Sequence, residues 1–386
     1  MKIFMLVSRV PWPLEKGDKL RAYHQLCRLV KKHEVHLCCL NDGANDEDAI
    51  NHLKTITPHV YVFRLNKFAL ALRMMRAMIN DKPFQVQYFF QSSVQRSIRN
   101  LIDKIKPDHI YCQLVRTAEY VKHLHEYKKT IDYMDALSAG FRRRASTEPW
   151  WKKPFVSEEA RRLVNYENLI FEYFDHHTII SDQDRQLIYH ASRNKIEIIP
   201  NGIDTNFFTP KAAEKKFTIV FTGNMSYAPN VDCSIRLANE IMPLIRKSIP
   251  SAQLLIAGAQ PSAAVRALAT EVVHVSGWMN DIRDAYNQSV IFMAPMRIGS
   301  GLQNKILEAM SMHLACVTTP VAGNALGAEH GKHIYIAESN EDCAGYAVQL
   351  LSNEMMRNEM ADAAADFVRK TFNWDDSVAK LESIMS

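Results

Sequence analysis

Short apolar runs alternate with helix-like segments along the chain, and the alternation occurs twice over; no other feature restricts the fold as much. In the first half, strands are expected at residues 3–7, 35–40, 60–65, 109–112, 130–133, 178–180 and 196–199. Helices are expected over 18–32, 46–56, 67–79 and 94–105. In the second half the expected strands are 217–222, 252–257, 272–275, 290–294, 315–319 and 333–336, with helices over 231–246, 262–269, 282–287 and 302–312. Strands joined through helices must run parallel, and the crossovers are right-handed, so the fold class is α/β. A chain of 386 residues exceeds what one core usually supports. Two Rossmann-like, doubly wound parallel-sheet domains are therefore expected, 1–205 and 206–373. The boundary falls near Pro200-Asn201-Gly202-Ile203-Asp204, and a last helix over 374–386 is free to pack back on the first domain.

Composition removes several classes. Hydrophobic residues at 47% and charged residues at 23% fit a globular protein and exclude long disorder. A net charge of +5 suits an anionic ligand or a membrane surface without requiring nucleic acid. Seven cysteines without a CxxC pair read as small hydrophobes in a reducing compartment, hence a cytoplasmic location. Residues 1–7 read as a strand rather than a signal peptide, and no run reaches the ~18 apolar residues of a spanning helix.

The chemistry concentrates after the strand 290–294, where Arg297, Gly299, Ser300, Gly301 and Leu302 lead into a helix carrying Lys305 and Glu308. Glycines 299 and 301 let backbone approach a ligand closely, and a helix start offers unpaired amides and positive dipole. Lys305 and Glu308 are three residues apart and share a face. Roughly 10 Å of helix separates Gly301 from Glu308 at the standard rise, enough for a diphosphate at the amide end and a ribose diol on the carboxylate. A Gly-rich turn with a surface Lys–Glu pair is the plainer alternative. Two further turns, Gly223-Asn224 and Gly258, follow strands directly, at the sheet edge where open parallel sheets bind ligands.

These stretches, together with residues 11–23, Pro200 to Asp204 with Phe207, and 221–230, resemble the GT-B-fold retaining glycosyltransferases of glycosyltransferase family 4. The sequence is especially similar to bacterial sugar transferases of exopolysaccharide or exosortase systems. The resemblance implies two domains facing across a cleft, the second binding the nucleotide diphosphate of a donor sugar and the first an acceptor. It implies that Glu308 holds the ribose, that Lys305 and Arg297 meet the diphosphate, and that the backbone at Trp278 reads the base. Two departures stand out. The family commonly has a glutamate ahead of the ribose-binding one that contacts the donor sugar; Ser300 stands there instead. The family's Arg and Lys after the first strand of the second domain have no counterpart in 224–233.

In the first domain, Lys16-Gly17-Asp18 joins a strand to a helix. Gly17 admits a diphosphate or acceptor, and Asp18 either serves the site or caps the helix. Arg21 either meets an anionic acceptor or is a solvated helix residue. Asp132 and Asp135 place two carboxylates at a strand end, where Asp132 is expected to contact the acceptor and Asp135 orients an acceptor hydroxyl, acts as base, or caps a helix. No histidine or carboxylate spacing makes a metal motif, so helix dipole and basic side chains are expected to replace a metal, with no cofactor beyond the nucleotide-sugar donor. Arg142-Arg143-Arg144 with Trp150-Trp151-Lys152-Lys153 and Phe155 suits an anionic membrane interface, or is a solvated loop beside a core aromatic. No nucleic-acid-binding signature accompanies it. The resulting expectation is transfer of a sugar to a hydroxyl on a glycan or lipid-linked acceptor of cell-surface polysaccharide synthesis. The rivals are a nucleotide-sugar epimerase of the same fold and a non-catalytic nucleotide-sugar-binding protein.

Overall fold

The structure, a computed structural model, describes residues 1–14, 16–43, 47–66, 73, 80–298 and 302–386. The chain divides into two compact units, Met1–Pro200 with Trp374–Ser386, and Asn201–Asn373. The expected helix over 67–79 lies outside the described residues apart from Arg73.

The first unit holds a parallel sheet of β1 (Lys2–Val7), β2 (Glu34–Asn41), β3 (Val60–Arg64), β4 (His109–Gln113), β5 (Lys128–Asp132), β6 (His176–Ile179) and β7 (Glu197–Ile198). Their order is β3-β2-β1-β4-β5-β6-β7. Alternate residues feed two separate cores, as a period of two requires. Phe4, Leu6, Cys38 and Leu40 enter one, and Ile3, Met5, Val7, Leu37 and Cys39 enter the other. Adjacent Cys38 and Cys39 thus lie on opposite faces of the sheet as buried, free thiols. Both faces being covered explains why these strands read as unbroken apolar runs.

The helix Trp374–Met385 returns to this unit. Trp374 stacks on His24 with ring centroids 4.8 Å apart, Arg28 pairs with Asp375 at 2.9 Å, and Lys380 donates to the Ile198 carbonyl at 3.0 Å.

Two helices that the sequence pattern did not announce, Leu137–Thr147 and Lys153–Phe171, pack together in the same unit. The periodicity of the second is interrupted by acidic groups used internally. The buried Glu167 carboxylate accepts from the Ser138 amide (3.0 Å) and hydroxyl (2.6 Å), closing the start of the first helix. Glu159 accepts from the amides of Phe84 and Gln85 at 2.7 and 2.9 Å, which caps the helix Phe84–Phe89.

The second unit repeats the design with β8 (Phe217–Thr222), β9 (Leu254–Ala257), β10 (Val273–Gly277), β11 (Ser289–Ala294), β12 (Ala315–Thr318) and β13 (Tyr335–Ile336). Its order, β10-β9-β8-β11-β12-β13, again reverses beside the first strand. The expected helix over 231–246 is the helix Ala228–Arg236, a π-helical stretch Leu237–Ile241, and the helix Met242–Ser248 that begins around Pro243. Proline lacks the amide that a continuous ladder needs there. In each unit the strand order turns at one point, between β1 and β4 and between β8 and β11. A doubly wound sheet binds ligands at the carboxyl ends of such strands. No helix among the described residues is long and apolar enough to cross a membrane.

Candidate functional site

At the switch point of the second unit two glycine turns stack backbone to backbone. Gly223 (φ +154°) follows β8 and Gly258 (φ +139°) follows β9, conformations that L side chains rarely adopt. A Cβ on Gly258 would stand 1.9 Å from the Gly223 carbonyl oxygen, and one on Gly223 would meet the Asn230 amide nitrogen at 2.7 Å. Asn230 ties this turn to the next element: its amide donates to the Asn224 carbonyl at 2.9 Å, and its oxygen accepts from the Lys305 ammonium. The Lys305 nitrogen also lies 5.2 Å from the Phe221 ring centroid. Burial lowers the Lys305 pKa to about 8, with Cys233 and Glu308 pulling the other way.

Lys305 and Glu308 stand on the helix Asn304–Ser311, which starts two residues later than expected, after Gln303. Tyr286 donates its hydroxyl to Glu308 Oε2 at 2.8 Å and lies 2.8 Å from the Thr222 hydroxyl, so the carboxylate is anchored through two side chains to the end of β8. Oε1 has no hydrogen-bond partner among the described residues, and the residue as a whole is half-buried. Burial raises the Glu308 pKa, and the Tyr286 hydrogen bond and the Lys305 charge oppose it. One helix turn back, the Asn304 side-chain oxygen is buried without a partner.

Other residues singled out in this unit fall less neatly. Gly299, Ser300 and Gly301 lie outside the described residues. Leu302 packs against the core of the unit. Arg297 is held by two carboxylates, Asp232 at 2.9 Å and Glu240 at 3.2 Å, so it reaches a phosphate only by exchanging partners. Trp278, just past β10, is 66% exposed, which removes simple packing as its role.

In the first unit the structure corrects two acceptor assignments. Arg21 and Asp132 have side chains that are 0% exposed and form an ion pair at 2.6 Å. Asp132 also accepts from the Tyr111 hydroxyl (2.7 Å) and the Met134 amide (3.2 Å), and Arg21 donates to the Ile199 carbonyl (2.9 Å). Both are occupied inside the unit and neither is open to an acceptor. Burial opposes the Arg21 charge, but Asp132 and Tyr111 together outweigh it and keep the pKa raised.

Gly17 begins the helix Gly17–Leu29 after Lys16, whose side chain makes no cap. Asp18 sits in the first turn and pairs with Arg9 at 2.6 Å, so it is not the capping residue. Asp135 is exposed three residues past β5, beyond Met134 at φ +63°. Protein crowding its carboxyl strips hydration and raises its pKa to about 6; Asp184 adds to the rise, while Arg116 and Arg143 oppose it.

Sequence reasoning missed Tyr286 and Asn230, which resemble ordinary helix residues, and also Arg9 and Arg116. For the arginines a signal existed: each follows a strand that flanks the switch point. Among the described residues, Glu34, His36 and His59 bring potential metal-ligand atoms within 4.8 Å of one another. They lie at the amino ends of β2 and β3, at the opposite sheet edge from the switch point.

Residues 216–353 match the model of a family described as glycosyl transferases group 1. The whole chain is similar to an uncharacterized 44.6 kDa protein of the cps region of Klebsiella pneumoniae, 23% identical with 96% of each chain covered. Among solved structures it is similar to a sucrose-phosphate synthase from Thermosynechococcus elongatus, at TM-score 0.70 and 14% identity over 99% of this chain and 98% of that one. It is also similar to Anabaena Alr3699/HepE, solved in complex with UDP and glucose, at TM-score 0.70 and 13% identity over 99% and 98%. The fold is GT-B.

Proposed function

We propose that the protein is a retaining glycosyltransferase that moves a sugar from a nucleoside diphosphate donor to a hydroxyl acceptor, a glycan or lipid-linked intermediate of cell-surface polysaccharide synthesis. The observation that carries the reading is Glu308: one oxygen is pinned by Tyr286 while the other has no partner among the described residues, on the helix that follows the switch-point strand. It lies within the residues that match the group 1 family. The cps-region relative and the UDP- and glucose-bound Anabaena structure support the same reading.

On this account Glu308 grips the ribose diol, while Lys305 and the amide end of its helix carry the charge that develops on the departing diphosphate, without a metal. Asp135 of the first unit orients the acceptor hydroxyl and takes its proton. NMR of a panel of nucleotide sugars, incubated with and without candidate acceptors, tests the proposal. Acceptor-dependent release of nucleoside diphosphate supports transfer. Interconversion of donor isomers without acceptor points to an epimerase, and an unchanged donor under all acceptors points to a binding protein.

Lys305 makes donor affinity pH-dependent. Its lowered pKa of about 8 means that the free site loses this positive charge above that pH. A bound diphosphate holds the proton on, so affinity is full below pH 8 and falls as pH rises through the higher pKa of the complex. Calorimetric titration with a nucleoside diphosphate is expected to show about tenfold weaker binding at pH 10 than at pH 7, a difference absent in Lys305→Met.

The location follows as part of the same proposal: cytoplasmic, peripheral on the inner face of the cell membrane. Trp150 is 85% exposed, Trp151 56% and Phe155 62%, so these aromatics are not core residues. Arg142, Arg144, Lys152 and Lys153 are exposed among them. Indoles suit headgroup depth, and each basic residue near an anionic surface contributes about 1 kcal/mol. Co-sedimentation with phosphatidylglycerol-containing vesicles is expected, and charge reversal at Arg142, Arg143, Lys152 and Lys153 together should reduce the bound fraction at least tenfold. Unchanged sedimentation of that variant would remove the membrane contact.

A further inference from the structure

At the switch point of the first unit stands an arginine that no hydrogen bond or ion pair among the described residues holds. β1 and β4 are neighbours there, and the chain leaves them in opposite directions. Arg9 follows β1 and Arg116 follows β4, and both guanidinium groups lie against the ring of Phe89, at 5.4 and 5.3 Å from its centroid. Two like charges sharing one ring repel, and a π-face only partly offsets this.

Arg9 is neutralised by Asp18 at 2.6 Å. Arg116 has no hydrogen bond or ion pair among the described residues, and its Nε is buried without a partner. Buried polar groups are nearly always satisfied, so an arginine placed this way has donors reserved for something else. Asp18, Asp42 and Asp135 act on it electrostatically, but none reaches hydrogen-bond distance, and burial together with Arg9 depresses its pKa. An arginine nevertheless keeps its proton, and its planar fork fits carboxylate and phosphate through two parallel hydrogen bonds.

We propose that Arg116, with Arg9 beside it, binds an anionic group of the acceptor, a phosphate or a carboxylate, on the first unit. The inference rests on the glycosyl-transfer reading and adds the chemical class of the acceptor. Asp135 stands close enough to Arg116 for each to influence the other's charge. A charged acceptor would therefore be held at two points, its anion on the guanidinium and its hydroxyl toward the carboxylate. Arg116 then acts as a specificity residue: it discriminates against neutral sugars because binding them leaves its donors unpaired.

The test uses the whole protein saturated with whichever nucleoside diphosphate binds it, titrated with glucose 6-phosphate, glucuronate and glucose and followed by saturation-transfer NMR. At least one charged sugar should bind tenfold or more tighter than glucose, and which one it is separates phosphate from carboxylate. Arg116→Met keeps an apolar stem on Phe89 and should abolish the preference while leaving nucleoside diphosphate affinity within twofold. Arg116→Lys, the milder change for folding, should retain part of it. No preference for charge in the wild type, or an unchanged preference in Arg116→Met, would overturn the proposal, as would displacement of the nucleotide by the charged sugars. If no nucleoside diphosphate binds at all, the transferase reading fails separately, and the same three sugars titrated alone still report on Arg116.

Discussion

Exchange of Glu308 for glutamine is expected to weaken nucleoside diphosphate binding about 100-fold, with transfer slowed by at least as much. A carboxylate that accepts both hydroxyls of a ribose makes two charge-assisted hydrogen bonds, each worth about 1.5 kcal/mol or more. Their loss is about 3 kcal/mol, or two orders of magnitude in affinity. Glutamine keeps the size and leaves one acceptor oxygen, but it loses the charge and turns an amide donor toward either Tyr286 or the diol. Tyr286→Phe is the informative companion. It removes the anchor on Oε2 and leaves Oε1 intact, so it should cost only about tenfold. Calorimetry on the three proteins gives the comparison, and equal effects of the two substitutions would mean that Glu308 acts only through packing.

The second large effect is on stability. Asp132→Ala removes the counter-charge of a guanidinium that has no exposure to water, and breaking such a pair costs about 3–5 kcal/mol. For a unit of this size the melting temperature should fall by about 10 °C. The partners are Arg21, the Tyr111 hydroxyl and the Met134 amide, so the loss also frees the turn that carries Asp135. A double exchange, Arg21→Met with Asp132→Leu, should recover most of the stability, because no uncompensated charge is left behind. It should not recover transfer if Asp132 positions the Asp135 turn. Thermal unfolding with a donor-consumption assay separates the two roles.

The fold was readable because both sheets are buried on both faces, so each strand stands out as an apolar run bounded by turns. The same burial hid the roles of Arg21 and Asp132. In a strand with one solvated face, alternation would assign Asp132 to water or core; in a doubly covered sheet neither side is polar and the period says nothing. That Lys305 and Glu308 share one helix after β11 was legible from their three-residue spacing. Tyr286 was not, since a tyrosine on a short helix looks the same whether its hydroxyl holds a carboxylate or meets solvent. The helix Lys153–Phe171 escaped notice for a related reason: its buried Glu159 and Glu167 cap other helices and break the apolar stripe that marks an amphipathic helix.

The central claim, that Glu308 grips the ribose of a nucleoside diphosphate, reduces to a coupling between two groups. A thermal-shift panel first selects the nucleoside diphosphate that binds best. Its affinity and that of its 2′,3′-dideoxy analogue are then measured on the wild type and on Glu308→Gln. The account predicts that deleting the diol weakens the wild type about 100-fold and the variant hardly at all. An equal loss in both proteins would contradict it.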